Sequence, residues 1–170
     1  MRGRALYFGT IIGPLLALAI GVPSARAAPS PSIACVFPLK PSETYTSLDA
    51  VPAAISNAFL KAISSHTRTG EPIIAPRDAA WQVTDVVVDQ QLAFRRFIEA
   101  GHSETTWFVW YERGGYTHSF YLALFNERSQ NDVEILVHLA VDLKDLCSIT
   151  QALILSRHNS GNVSFIDPYW

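Results

Sequence analysis

The chain has 170 residues, of which 13 are basic and 15 acidic, so its formal net charge at pH 7 is −2. This balance argues against a protein that tracks nucleic-acid phosphates, since such a protein needs clustered Lys and Arg. Aromatic and β-branched residues are plentiful, which argues against an intrinsically disordered chain.

Residues 1–27 have the three parts of a cleavable signal peptide. Arg2 and Arg4 give a positive start, residues 6–22 carry no charge, and Ala25-Arg26-Ala27 supplies a small-x-small cleavage pattern. The alternative is an uncleaved transmembrane anchor, but an apolar run of 17 residues is at the short limit for a bilayer span. We therefore predict a periplasmic or secreted protein with no stable membrane insertion after cleavage, and with a net charge of −5.

The two cysteines, Cys35 and Cys147, lie near opposite ends of the exported chain. An even number of cysteines in an oxidising compartment predicts a disulfide between them. Two alternatives remain, namely two free thiols or a lipid on Cys35, because Ser32-Ile33-Ala34-Cys35 faintly resembles a lipoprotein box. The lipid is disfavoured because Ser32 stands where such a box has Leu.

Residues 28–47 are rich in Pro and Ser and are interpreted as an extended arm, followed by one domain over residues 48–170. Residues 50–65 carry apolar side chains at i, i+3, i+4 and i+7, which predicts an amphipathic helix. Residues 142–157 fit either a helix or a strand, and the helix is favoured because Asp142 can cap its start.

Five segments between these helices have the composition or the alternation of β-strands. The Gly114-Gly115 pair predicts a two-residue hairpin turn, since both residues can adopt the positive φ of a primed turn. The fold class is therefore predicted as α+β, an antiparallel meander of four to five strands with both helices on one face and a disulfide staple. The predicted strands are Trp81–Val88, Leu92–Ala100, Thr105–Arg113, Tyr116–Phe125 and Val133–Val141.

The predicted turn pairs Arg113 with Tyr116 and thereby sorts the side chains of the hairpin onto two faces. The more apolar face, with Tyr111 opposite His118, is assigned to the core. The other face groups Phe108, Trp110 and Tyr121, and these three form the predicted partner-binding surface, either exposed for a partner or covered by another layer.

No complete catalytic or metal-binding signature is present in the sequence, so no catalytic residue, metal ligand or cofactor is predicted. The five histidines lack the short spacings of chelating pairs. A site assembled through the fold is the alternative, with His118 and His138 on neighbouring strands and Glu112 or Glu134 joining them. The basic doublet Arg95-Arg96 should send one side chain to solvent and the other to a carboxylate.

These features favour an exported, non-catalytic binding module of the inhibitor, immunity or accessory type, acting through a sheet face. Its partner is an unknown protein or small ligand in the cell envelope. Two alternatives are a periplasmic carrier with an apolar ligand pocket and a small hydrolase or metal-dependent enzyme.

Overall fold

A computed structural model describes residues 43–64, 72–87, 89–160 and 165–166 of the chain. The predicted signal peptide, most of the arm and Cys35 lie outside these residues. Cleavage, export and the Cys35–Cys147 disulfide therefore stay predictions. The described residues form an α+β structure in which two helices pack on one sheet, and this part of the predicted fold class is confirmed.

Six strands lie side by side in chain order. The first five pair antiparallel, whereas the short sixth strand pairs parallel to the fifth. The predicted antiparallel meander is therefore confirmed, and its first strand comes from the end of the predicted arm. The strands β1 to β6 are Glu43–Tyr45, Arg95–Ser103, Thr106–Arg113, Ser119–Ser129, Asp132–Val141 and Phe165–Ile166.

Both predicted helices form. Helix α1 is Ala53–Ser64, and its buried residues Ile55, Phe59 and Ile63 recur every four residues, as the apolar stripe predicts. Helix α2 is Leu146–Ser160, preceded by one 3-10 turn over Leu143–Asp145. The helical interpretation of residues 142–157 is thus confirmed.

The two helices cover opposite faces of the sheet, so the prediction that both lie on one face is wrong. Helix α1 packs on the face that carries Trp107 and Val109, and α2 packs on the face that carries Phe108 and Trp110. The reason lies in β3, whose residues 106–112 are all buried. Its residues 107–111 are apolar without interruption. Because successive side chains of a strand point to opposite faces, such a run needs a cover on both sides.

The predicted two-residue hairpin turn is also wrong, because strands β3 and β4 are joined by five residues, Gly114 to His118. Arg113 pairs with Ser119, and Tyr111 pairs with Tyr121. The backbone N–H groups of the two glycines donate to a neighbouring segment, Gly114 to the Phe94 carbonyl at 2.8 Å and Gly115 to the Val83 carbonyl at 3.0 Å. Gly115 does have the predicted positive φ, +118°.

The segment predicted as strand Trp81–Val88 is a loop over its described residues, with a single isolated bridge between Thr84 and Gly115. The buried side-chain amide of Gln82 donates to the carbonyls of Thr84 and Val86. These local bonds curl the backbone, and a curled backbone cannot keep the extended geometry of a strand. The next predicted strand, Leu92–Ala100, is observed as β2, which begins and ends three residues further along the chain.

Candidate functional site

The three residues of the predicted partner-binding surface do not share a face. Phe108 and Trp110 are fully buried under α2, whereas Tyr121 is half-buried on the α1 side, opposite Tyr111. The five-residue connection causes this separation, because it shifts the register between the strands by three positions. An odd shift moves every residue of β4 to the other face.

Trp110 instead holds α2 on the sheet. Its indole Nε1 donates to the Thr150 Oγ1 at 3.0 Å, and the Thr150 hydroxyl donates to the Leu146 carbonyl at 2.7 Å. A buried indole N–H needs such a partner, because an unpaired donor in the core is costly. The premise that Trp110 belongs to an exposed aromatic platform is therefore wrong.

The two histidines considered as a metal site are separated by the sheet. His138 lies on the α1 face, where its Nε2 is 2.6 Å from the Tyr111 hydroxyl. Burial raises the pKa of that Tyr111 hydroxyl above its ordinary value. His118 lies beyond the end of β3 and bonds to Glu112 on the α2 side. Within the described ranges, no three His, Cys, Asp or Glu side chains are grouped to hold a metal ion.

A polar network of Arg96, Glu112 and His118 lies at the end of the sheet where β3 stops. Arg96 on β2 and Glu112 on β3 are cross-strand neighbours, and the Arg96 Nε donates to the Glu112 Oε1. Both side chains are buried, with Glu112 only 1% exposed. The second carboxylate oxygen of Glu112 lies 2.7 Å from the His118 Nε2, and the His118 side chain is 40% exposed. The network therefore runs from the core to the surface.

This network defines the hydrogen-bonding state of His118. The Arg96 guanidinium balances the charge of the buried Glu112 carboxylate. Because a carboxylate only accepts hydrogen bonds, the His118 Nε2 carries the proton that is donated to it. In the neutral imidazole, Nδ1 is then an acceptor, and no described residue donates to it. An imidazole oriented by a carboxylate in this way can bind a donor group or accept a proton.

Trp81 covers the network from the loop side. Its ring lies 5.0 Å from the Arg96 Cζ and 5.5 Å from the ring of His118. The sequence interpretation of Arg95-Arg96 is wrong on one point, because neither side chain reaches solvent and both are buried. The Trp81 Nε1 is buried without a hydrogen-bond partner among the described atoms.

Exposed apolar side chains collect on the two loops beside this network. The loop surface, as we name it, consists of Val83, Val86, Val87 and Tyr116, with Tyr116 93% exposed and Val86 67% exposed. In the described part of the chain, the other exposed large apolar residues are Ile135 and Leu155, whose exposure is close to that of Val83 and Val87. The Gly115–Val83 backbone bond joins the two loops, so the four exposed side chains lie on adjoining segments.

A cavity of about 350 Å³ opens next to His118. Its far side is formed by the end of β5 and by Asp142, which precedes α2. Its walls thus combine three polar side chains with apolar ones. The lining residues are His118, Ser119, Phe120, Ala140, Val141 and Asp142.

The sequence offered Glu112 only as a residue that could join His118 in a metal site. The hydrogen bond between Glu112 and His118 was not predicted, because the predicted register placed His118 opposite Tyr111. The signal that remained was the charge of Glu112 directly after the apolar run of residues 107–111, at a strand position where burial requires a partner.

Among the described residues, the half-exposed His118 and the exposed side chains of the loop surface thus lie on neighbouring segments at the loop end of the α2 face. Over the residues that the structure describes, no helix is long and apolar enough to cross a membrane. Comparison of the chain with protein-family models, with curated proteins and with solved structures finds no match.

Proposed function

We propose that this protein is an exported, non-catalytic binding module that holds a partner protein through the loop surface. One observation carries the proposal: the strongly exposed apolar side chains are concentrated on two bonded loops next to a half-exposed histidine. Contiguous exposed apolar groups with a polar surround are typical of interaction sites, and Tyr is favoured at their centres.

The loops that carry this surface are pre-ordered, which supports a binding role. Gln82 holds one loop from inside, and the N–H groups of Gly114 and Gly115 hold the other. A side chain on a fixed loop loses less conformational freedom on binding than one on a mobile loop. The proposal therefore moves the binding site from the sheet face expected from the sequence to the loop end of the sheet.

The test compares Tyr116→Ser with Leu155→Ser, a control at another exposed apolar position. Wild-type protein captures partners from an envelope extract of its host, and each captured protein is purified and titrated with the variants by calorimetry. We expect Tyr116→Ser to weaken one partner by about thirtyfold, corresponding to loss of a central aromatic contact. Leu155→Ser should stay within about twofold of wild type.

Two results would contradict the proposal. The first is unchanged affinity of Tyr116→Ser for every captured protein. The second is an equal loss in Leu155→Ser, because that loss would not depend on the loop surface.

Export and the disulfide are part of the same proposal. We expect the mature protein to begin at or near Ala28, with both cysteines protected from alkylation until a reductant is added. Cys35→Ser should lower the free energy of unfolding by about 2–5 kcal/mol. Intact mass and alkylation of protein from the native host measure these points. A mass that retains residues 1–27, a lipid on Cys35 or two reactive thiols would contradict them.

A small-ligand carrier is the second candidate, favoured by the cavity beside His118. A volume of about 350 Å³ lies within the range of known ligand pockets. Native mass spectrometry of protein from the host distinguishes this candidate, because a carrier retains a small molecule in a one-to-one complex.

A further inference from the structure

We infer that the cavity beside His118 receives a basic side chain, an arginine or a lysine, of the bound partner protein. The inference rests on the proposed function for the source of that side chain. The chemistry of the cavity supports it independently, through two hydrogen-bond acceptors, an aromatic wall and the distribution of charge.

The first acceptor is the Nδ1 of His118. Glu112 accepts a hydrogen bond from Nε2 at 2.7 Å, and this bond holds the imidazole in one orientation. The lone pair of Nδ1 in the neutral ring has no donor among the described residues. A group that enters the cavity and binds here must therefore carry an N–H or O–H donor.

The second acceptor is the carboxylate of Asp142. An Asp at this position, just before a helical turn, usually accepts a hydrogen bond from a backbone N–H of the first turn. In the described chain the Asp142 side chain makes no such capping bond. Its one ion pair is with Lys144 at 3.4 Å, and both side chains are more than 70% exposed. Such an exposed pair contributes little and can be exchanged for a ligand cation.

The walls between the two acceptors suit the stem of a long basic side chain. Phe120 lies 5.0 Å from the ring of His118, between ring centroids, and Ala140 and Val141 complete the apolar lining. Lys and Arg pack their methylene stems on apolar surface. The face of an aromatic ring also attracts a cation.

The charges around the cavity favour a cation, although Lys144 pairs with Asp142 and Arg113 is the cross-strand neighbour of Ser119. No Lys or Arg is among the described residues that line the cavity. The nearest buried cation, Arg96, already binds Glu112. Arg113 lies on the α1 face, next to Tyr111, while Asp85 is exposed on the loop surface itself. A partner that covers Tyr116 therefore meets carboxylates and an imidazole acceptor.

The experiment uses small probes of known chemistry on the isotope-labelled full chain. N-acetyl-arginine N-methylamide is titrated against its neutral isostere, N-acetyl-citrulline N-methylamide, and the amide resonances of Ser119 and Asp142 are followed. We expect saturable shifts with the arginine probe and at least about tenfold weaker binding of the citrulline probe. N-acetyl-lysine N-methylamide, the corresponding lysine probe, should bind within about tenfold of the arginine probe.

Two variants test the assigned acceptor. Asp142→Asn keeps the shape of the cavity and should weaken the arginine probe by about tenfold, since it removes the charge. Asp145→Asn is the matched control, because Asp145 is also exposed in the same short helical segment but does not line the cavity. It should change the affinity by less than about twofold.

The inference is overturned if the citrulline and arginine probes bind equally, if neither gives a saturable shift, or if the two Asp variants lose affinity equally. These outcomes leave the proposed function untouched, because the probes need no partner. Conversely, Tyr116→Ser should bind the arginine probe like wild type. If the probe binds but Tyr116→Ser retains every partner, the cavity is a cation site and the loop surface is not the interface.

Discussion

The two faces of the sheet are both covered by a helix, but they differ in what happens at the loop end. On the α1 face, the polar atoms of Tyr111 and His138 bond to each other in the core, with Phe59 packed against the Tyr111 ring. On the α2 face, Trp110 is paired inside the core in the same way, but the polar network of Glu112 continues outward to His118.

The difference shows how one sheet serves both stability and recognition. A polar group that finds its partner inside the core stabilises the packing and is inaccessible to any ligand. A polar group that is anchored in the core and ends at the surface is both oriented and accessible. At the loop end of the α2 face, the His118 imidazole is therefore oriented by Glu112 and also accessible to a ligand.

The largest expected effect on stability comes from truncating Trp110, which lies at the centre of the α2 face. Trp110→Ala should lower the free energy of unfolding by about 3–5 kcal/mol, because it leaves a cavity and removes the hydrogen bond to the Thr150 Oγ1. Tyr121→Ala, half-buried on the other side, should cost less. Denaturant unfolding measures both. A Trp110→Ala protein within about 1 kcal/mol of wild type would show that this residue is not core.

Removing one partner of the buried Arg96–Glu112 ion pair should lower the free energy of unfolding by a similar or slightly smaller amount. Glu112→Leu leaves the Arg96 charge buried without its carboxylate, which typically costs about 3–5 kcal/mol. The double variant Arg96→Met with Glu112→Leu removes both charges and should be more stable than Glu112→Leu alone. If the double variant is the less stable of the two, the pair does not act as a compensated buried unit.

On the α1 face, the loss of one buried hydroxyl group should have a smaller effect on the free energy of unfolding. Tyr111→Phe removes the hydrogen bond to His138 and should cost about 1–3 kcal/mol. Tyr116→Phe is the control, because its hydroxyl is in solvent and its loss should cost less than about 0.5 kcal/mol. Equal midpoints for the two variants would argue against the buried Tyr111–His138 bond.

The smallest effect concerns Glu99, which pairs with Trp110 across β2 and β3. Burial raises the pKa of the Glu99 carboxyl above its ordinary value of 4.5, against the opposing effect of Arg77 at 3.6 Å. A raised folded-state pKa gives a contribution to stability that is present at low pH and is lost as the pH rises through that pKa.

Relative to Glu99→Gln, the wild type should therefore lose stability as the pH is raised from about 4 to about 7. Glu134→Gln, at an exposed position of β5, is the control. Chemical denaturation at several pH values measures the difference between each variant and the wild type. A difference that is constant or grows in favour of the wild type would contradict the raised pKa.

Local patterns predicted most of the elements correctly. The apolar stripe of α1 and the apolar runs of β3 and β5 each depend on neighbours within one element. Helix α2 formed as predicted, but the Asp142 side chain does not cap it. The failures were at Trp81–Val88, where the Gln82 side chain competes for the backbone, and at the hairpin, where the glycines bond to a distant segment.

The sequence by itself determined the α+β class, the two helices and the strands β2 to β5, because hydrophobic periodicity is a local property. Only the tertiary structure decided the register between β3 and β4, the separation of Phe108 and Trp110 from Tyr121, and the pairing of Glu112 with His118. The physical reason is that the backbone N–H groups of Gly114 and Gly115 donate to the carbonyls of Phe94 and Val83, which are distant in the sequence. A three-residue change in that connection moves every side chain of β4 to the other face.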